Sequence, residues 1–263
     1  MSKPRHFETR AIHEGIRDHD WEGATLPPIF QSAAHFHDTA DNLSRTFAGQ
    51  QPDHIYMRLT NPTNRFLEEK LASLESGQAA LVTASGMAAI SNACMTLLRA
   101  GDEFVASSSL FMSTYALFTN IFKKYGITVR LADPLDLDNV AKNITDKTRF
   151  VYMETITNPG MEVPDLKQIA GLAHEKGVPL MVDNTLASPW LCRPIELGAD
   201  IVLHSTTKYF SGHGAALGGV VVDAGNFNWD TDRFSDFVPF VTQKGSLAFI
   251  HRLFKEHHVN FGT

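Results

Sequence analysis

The stretch LHSTTKYFSGH, residues 203–213, places Lys208 directly behind the apolar run ADIVL, among Ser205, Thr206 and Thr207. Lysine is mostly a surface residue. Behind an apolar run and beside three hydroxyls, it reads as a reactive amine next to a phosphate site. Three other short groups also follow apolar runs. Ser85-Gly86-Met87 follows ALVTA and opens a helical pattern. The free N–H groups and dipole of a helix start favour an anion. Asn158 follows RFVYMET, and Asp183-Asn184-Thr185 follows VPLMV. Taken singly, a Ser-Gly turn is an ordinary cap, Asn-Pro an ordinary turn and a strand-end Asp an ordinary cap.

The elements around these groups decide whether they meet. From residue 61 onward, apolar runs alternate with helical patterns. NPTNRFLEEKLASLESG, SGMAAISNACMTLLRAG, FMSTYALFTNIFKKYG, DLDNVAKNI and DLKQIAGLAHEKG have helical spacing and polar starts. AALVTA, EFVASS, ITVRLAD, RFVYMET, VPLMVDNT, DIVLHS and GGVVVD read as strands. Such alternation predicts an α/β fold: a mainly parallel sheet covered by helices on both faces. Ligands of such sheets bind beyond the carboxyl ends of the strands, where all four groups would lie. Residues 1–60 are rich in Pro, Gly and His with little periodicity, and read as an extended N-terminal arm. Residues 61–263 read as one large domain whose last forty are aromatic and loosely patterned, with no evident closing element.

Composition excludes several classes. The 263 residues carry a net charge of −6 and no basic block, which argues against nucleic acid or an anionic membrane as partner. The N-terminus lacks an apolar leader, no apolar run would span a bilayer, and Cys94 and Cys192 form no Cys-x-x-Cys pair. A cytoplasmic protein without disulfides is expected. His35, His37, His251, His257 and His258 lack partners at ligand spacing, so no metal is expected. His204 reads as a strand-end hydrogen-bonding residue and Cys94 as a buried small hydrophobe.

The four groups together match pyridoxal 5′-phosphate. Its aldehyde needs a lysine amine, its pyridine nitrogen a carboxylate, its phosphate N–H and hydroxyl donors, and its O3′ an amide. The segments TRAIHEGI, PPIFQSAAHF, IYMRLTNPTN, ASGMAAI, ETITNP, VDNTLASP and HSTTKYFSGH occur in that order. In this the chain resembles the Cys/Met-metabolism family of fold-type I pyridoxal-phosphate enzymes. That family includes cystathionine synthases and lyases, methionine γ-lyase and O-acylhomoserine sulfhydrylases. The resemblance implies that Lys208 forms the Schiff base and shuttles protons, and that Asp183 partners the pyridine nitrogen. It implies that Ser85, Gly86, Met87, Ser205 and Thr207 surround the phosphate, that Asn158 lies near O3′ and that Thr185 belongs to the same site. Tyr56 and Arg58 resemble a pair that reaches the neighbouring subunit's phosphate, which implies a homo-oligomer, a dimer or a tetramer of dimers.

Two departures qualify the resemblance. LFMST stands where the family has LYGGT, so Phe111 replaces a ring-stacking tyrosine. It keeps the apolar face but has no phenol, leaving acid/base work to Tyr56 or Lys208. Family members also continue into a smaller C-terminal domain carrying an arginine for the substrate carboxylate, to which no residue here corresponds. The expectation is γ-replacement on O-acetylhomoserine by sulfide or a thiol, giving homocysteine or methionine. Elimination, as in methionine γ-lyase or a cystathionine lyase, is the alternative, and a non-catalytic cofactor-binding fragment is another.

Overall fold

The computed structural model describes residues 5–16, 24–51 and 53–261. Seven strands form one sheet: β1 Ala79–Thr83, β2 Glu103–Ser107, β3 Thr128–Ala132, β4 Thr148–Glu154, β5 Leu180–Asp183, β6 Ile201–His204 and β7 Gly219–Asp223. Their spatial order is β1-β7-β6-β5-β4-β2-β3. The pairs β2–β3, β2–β4, β4–β5 and β5–β6 are parallel. The mainly parallel sheet expected from the alternation is therefore present. β7 is the exception, antiparallel to both β6 and β1. A strand inserted antiparallel between two others leaves those two pointing the same way, so β1 and β6 end at the same edge as β4 and β5.

Among the described residues, five of the helices start at a side-chain cap. Helices α1 Phe7–His13 and α2 Ala40–Phe47 lie in the N-terminal region. Asn61 accepts the N–H of Thr63 at 2.8 Å to start α3 Pro62–Leu74, with a proline in its first turn. Ser85 caps α4 Gly86–Leu97 through the N–H of Ala88 at 3.1 Å. After α5 Met112–Ala116, a π-helical turn over Leu117–Ile121 leads into α6 Phe122–Lys124. Asp136 and Asp165 cap α7 Leu137–Asn143 and α8 Leu166–Glu175, each through an N–H at 3.0 Å. Short helices α9 Ser188–Leu191, α10 Val238–Lys244, α11 Ala248–Leu253 and α12 Val259–Phe261 complete the series.

Successive strand residues face opposite sides, and both sides are covered. Phe104, Phe150, Tyr152, Met181 and Leu203 pack beneath α4, the 112–124 segment and α11. Val105, Val151, Met153, Val182 and Val202 pack against α3, α7 and α8. Every residue of β4, β6 and β7 is buried, which is why these strands read as apolar runs rather than alternating ones.

Two regions differ from the expectation of little regular structure. The N-terminal region carries α1 and α2, and α1 docks on α3 through Lys70 Nζ donating to Ala11 O at 3.0 Å. The aromatic C-terminal segment is built into the core. Trp229 stacks on Phe237 at 4.8 Å, and Phe249 belongs to the same pile. Arg149, only 6% exposed, donates to Asp236 at 2.9 Å, and Arg252 donates to the same carboxylate. This pairing ties the segment to the start of β4. Burial alone would raise the Asp236 carboxyl, but the two arginine hydrogen bonds outweigh it and hold it below the usual range.

Candidate active site

The carboxyl ends of β4, β5 and β6 and the loop after β1 open on a cavity of about 250 Å³. Its lining includes Ser85, Gly86, Met87, Phe111, Asn158, Asp183, Thr185, Ser205, Thr207 and Lys208. Ten of the residues singled out in the sequence are thus brought to one place. Tyr56 and Arg58 are not among the lining. Tyr56 pairs as an isolated bridge with Ala34. The Arg58 guanidinium lies 5.7 Å from the Tyr56 ring and donates to the carbonyl of Val259.

One wall is set by close backbone approach. At Gly86 a Cβ would fall 2.6 Å from Ser205 Cβ and 2.9 Å from its Cα. Any larger residue would push the start of α4 away from the loop after β6. The contact brings the first turn of α4, with its unpaired N–H groups, against the Ser205–Thr207 hydroxyls. That loop is itself fixed. Ser205 N–H donates to Thr185 Oγ1 at 2.8 Å, and Thr207 Oγ1 both donates to and accepts from Gly218, at 3.2 and 3.1 Å. The fixed loop leaves the Ser205 hydroxyl beside the N–H groups of Gly86 and Met87 at the start of α4, donors that suit a phosphate.

Asp183 ends β5, with one oxygen accepting Thr185 N–H at 2.9 Å and the other facing the Tyr152 hydroxyl at 3.5 Å. Burial pushes its carboxyl above the ordinary range. The Thr185 hydrogen bonds, His204 and the Tyr152 hydroxyl oppose that push. Among the described residues no cation pairs with Asp183. A half-buried carboxylate without a counter-ion is a receptor for a cationic group such as a protonated pyridine. Lys208 is exposed on the cavity side, and its amine makes no hydrogen bond or ion pair to a described residue. Phe111, 41% exposed, offers an apolar face. Cradle, carboxylate, free amine and ring face are the parts pyridoxal phosphate needs, so the residues present fit that cofactor.

Sequence reasoning passed over a layer beneath the cavity. Glu154, the last residue of β4, lines the cavity although it is only 5% exposed. Its two oxygens accept the N–H groups of Phe111 at 2.8 Å and Asn158 at 3.0 Å. Burial raises its carboxyl to about 7, the two N–H groups oppose this, and Asp183 adds to it. Deeper still, Glu75 accepts from Asn184 Nδ2 at 2.9 Å and meets His204 Nε2 at 2.5 Å. Asn184 Oδ1 accepts the Thr155 hydroxyl at 2.7 Å. His204 is indeed a strand-end hydrogen-bonding residue. A lone acidic letter closing an apolar run, as in RFVYMET, is the signal that could have drawn attention to Glu154. Among the described residues no group of three His, Cys, Asp or Glu could hold a metal, and no helix is long and apolar enough to cross a membrane.

A family model for Cys/Met metabolism PLP-dependent enzymes matches residues 8–241. The chain belongs to this family of pyridoxal-phosphate enzymes. It is 43% identical over 238 residues to an O-acetyl-L-homoserine sulfhydrylase of Leptospira meyeri, covering 90% of this chain and 54% of that protein. It is also 43% identical over 216 residues to an L-methionine gamma-lyase of Pseudomonas putida, covering 82% and 54%. A crystal structure assigned to an O-acetylhomoserine (thiol)-lyase of Campylobacter jejuni superposes with a TM-score of 0.92 at 30% identity, covering 98% of this chain and 67% of that one. That structure holds a pyridoxyl-lysine monophosphate. The chain spans about half the length of the curated relatives it matches.

Proposed function

We propose that the chain forms the cofactor-holding part of an enzyme that replaces the γ-substituent of O-acetylhomoserine with sulfide or a thiol, giving homocysteine or methionine. The observation that carries this reading is the single cavity in which an unpaired amine, Lys208, and a half-buried carboxylate without a counter-ion, Asp183, adjoin the donor-rich start of α4. When bound, the cofactor supplies an aldehyde for amines and a ring that withdraws electrons. Lys208 Nζ, the amine facing the cavity, would be the group that holds it and would take and return a proton at the substrate α-carbon. The Asp183 carboxylate would keep a proton on the ring nitrogen. Ser205, Thr207 and the α4 N–H groups of Gly86 and Met87 hold the phosphate, with Ser85 and Thr185 shaping that wall. Phe111 supports the ring face and Asn158 its oxygen.

Replacement is preferred because similarity to a sulfhydrylase extends over more of this chain than similarity to a lyase. The phenylalanine at 111 points the same way. Elimination from methionine is kept as the second reading because the Pseudomonas relative matches at the same identity. Two steps test the proposal. Borohydride treatment of the chain loaded with pyridoxal phosphate should leave the reduced adduct on Lys208, located by mass spectrometry. An adduct elsewhere, or none, removes the assignment. With the site loaded, homocysteine from acetylhomoserine plus sulfide indicates replacement, and α-ketobutyrate from methionine indicates elimination.

A further inference from the structure

The carboxylate of Glu154 sits where a carboxylate is costly. It closes a strand buried on both faces, and its neighbour in the β4–β5 register is another acid, Asp183. Two acids side by side at an apolar sheet end repel each other and lose hydration. Tyr152 precedes it on the same face of β4, and the cation of the cavity is Lys208, which makes no ion pair with it. Nothing in the packing of β4 requires an acid at this position. What uses both oxygens is a pair of loops. Phe111 follows β2 and Asn158 follows β4, and these strands are neighbours in the sheet. Each loop donates one N–H to a different oxygen of the same carboxylate, at 2.8 and 3.0 Å. A glutamine has only one acceptor oxygen and an aliphatic residue none, so only a carboxylate serves both donors.

We propose that Glu154 is a positioning residue: its carboxylate latches the Phe111 loop to the Asn158 loop, fixing the ring-supporting face and the amide relative to one another before the cofactor enters. The part that concerns the cofactor rests on the reading of the site given above. The latch belongs to the protein alone and can be measured without cofactor. Preorganising two contact residues lowers the ordering cost of binding, so the latch strengthens cofactor grip without touching the reacting atoms.

The test compares the unaltered chain with Glu154→Gln and Glu154→Ala, all checked for folding by thermal melting. Amide hydrogen exchange at Phe111 and Asn158, read by NMR without cofactor, should speed up at both positions in Glu154→Ala. In Glu154→Gln it should speed up at only one, because the amide keeps a single acceptor. Exchange along the rest of β4 should not follow. Pyridoxal phosphate binding, followed by absorbance, should weaken about tenfold or more in Glu154→Ala, with Glu154→Gln between the two. If Glu154→Ala does not fold, the one-amide release in Glu154→Gln carries the test alone. Unchanged protection of both amides in a folded variant would overturn the latch. Both amides released with cofactor affinity intact would overturn its positioning role. A latch that behaves as described in a chain taking up no cofactor on Lys208 would instead refute the reading of the site, and the cofactor half of this proposal with it.

Discussion

At the scale of single residues, the proposed function divides the work between Asp183 and Lys208. The carboxylate has no cation partner among the described residues, and burial already favours its protonated form. A cationic ring nitrogen would reverse that preference through a charge-assisted hydrogen bond, which contributes roughly 1.5–3 kcal/mol. Asp183→Asn removes the charge but keeps the shape. The variant should still place the cofactor on Lys208, yet exchange the α-proton of a bound amino acid about a hundredfold more slowly. Deuterium wash-in followed by NMR measures this, and an undiminished rate would reduce Asp183 to a cap for Thr185. Both residues are legible in the sequence because each stands at the end of an apolar run, where an ionisable letter is conspicuous. The layer beneath them is not legible. Glu75, Asn184 and His204 meet only because α3, β5 and β6 are brought together by the sheet, and no local spacing announces a contact between residues so distant in the chain.

Among the elements, β7 carries the sharpest expectation. Its last residue, Asp223, is 2% exposed and accepts the N–H groups of Gly225 at 2.8 Å and Ile250 at 3.1 Å. Burial lifts its carboxyl from 3.8 to about 7, those two N–H groups oppose the rise, and Asp200 adds to it. The folded chain therefore holds this proton to higher pH than the unfolded chain does. The stability it contributes is fully present below pH 3.8 and is lost as pH rises through about 7. Glu154 adds to the same window. Urea unfolding should show stability falling by about 1–2 kcal/mol per such group between pH 5 and 7. Asp223→Asn should flatten that slope, and equal slopes in the two proteins would remove Asp223 as its source. The strand and helix alternation around β7 is readable because buried strands and capped helices leave period and punctuation. α1 and α2 escape because they are short and mostly polar, and the 232–261 segment because its helices are broken by tight turns at Asp232–Phe237 and Gly245–Leu247.

Considered whole, the molecule presents a core-building sheet and an N-terminal region of a different character. Leu26, Ile29 and Phe36 are each more than 70% exposed. Tyr56 and Arg58 lie away from the cavity of their own chain. We propose, as the resemblance of Tyr56 and Arg58 implies, that the arm completes a second subunit's phosphate site. Arg58→Ala and Lys208→Ala chains, each impaired alone, should then restore about a quarter of activity when equal amounts exchange at random, since about half of the dimers are hybrids and one of the two sites in each carries neither lesion. Confirmed hybrids without restoration would return Arg58 to its own chain or to no site at all. Among the described residues β1 is an edge strand paired with β7 alone, from the far end of the series, and the α4 start that follows β1 is seated against Ser205. During synthesis β2, β3 and β4 can pair while β7 is still unmade, and contacts distant in sequence close late. The phosphate cradle is thus among the last parts of the chain to be finished. Capture of the yellow cofactor would then report that the whole sheet has closed, and a folding intermediate should be colourless.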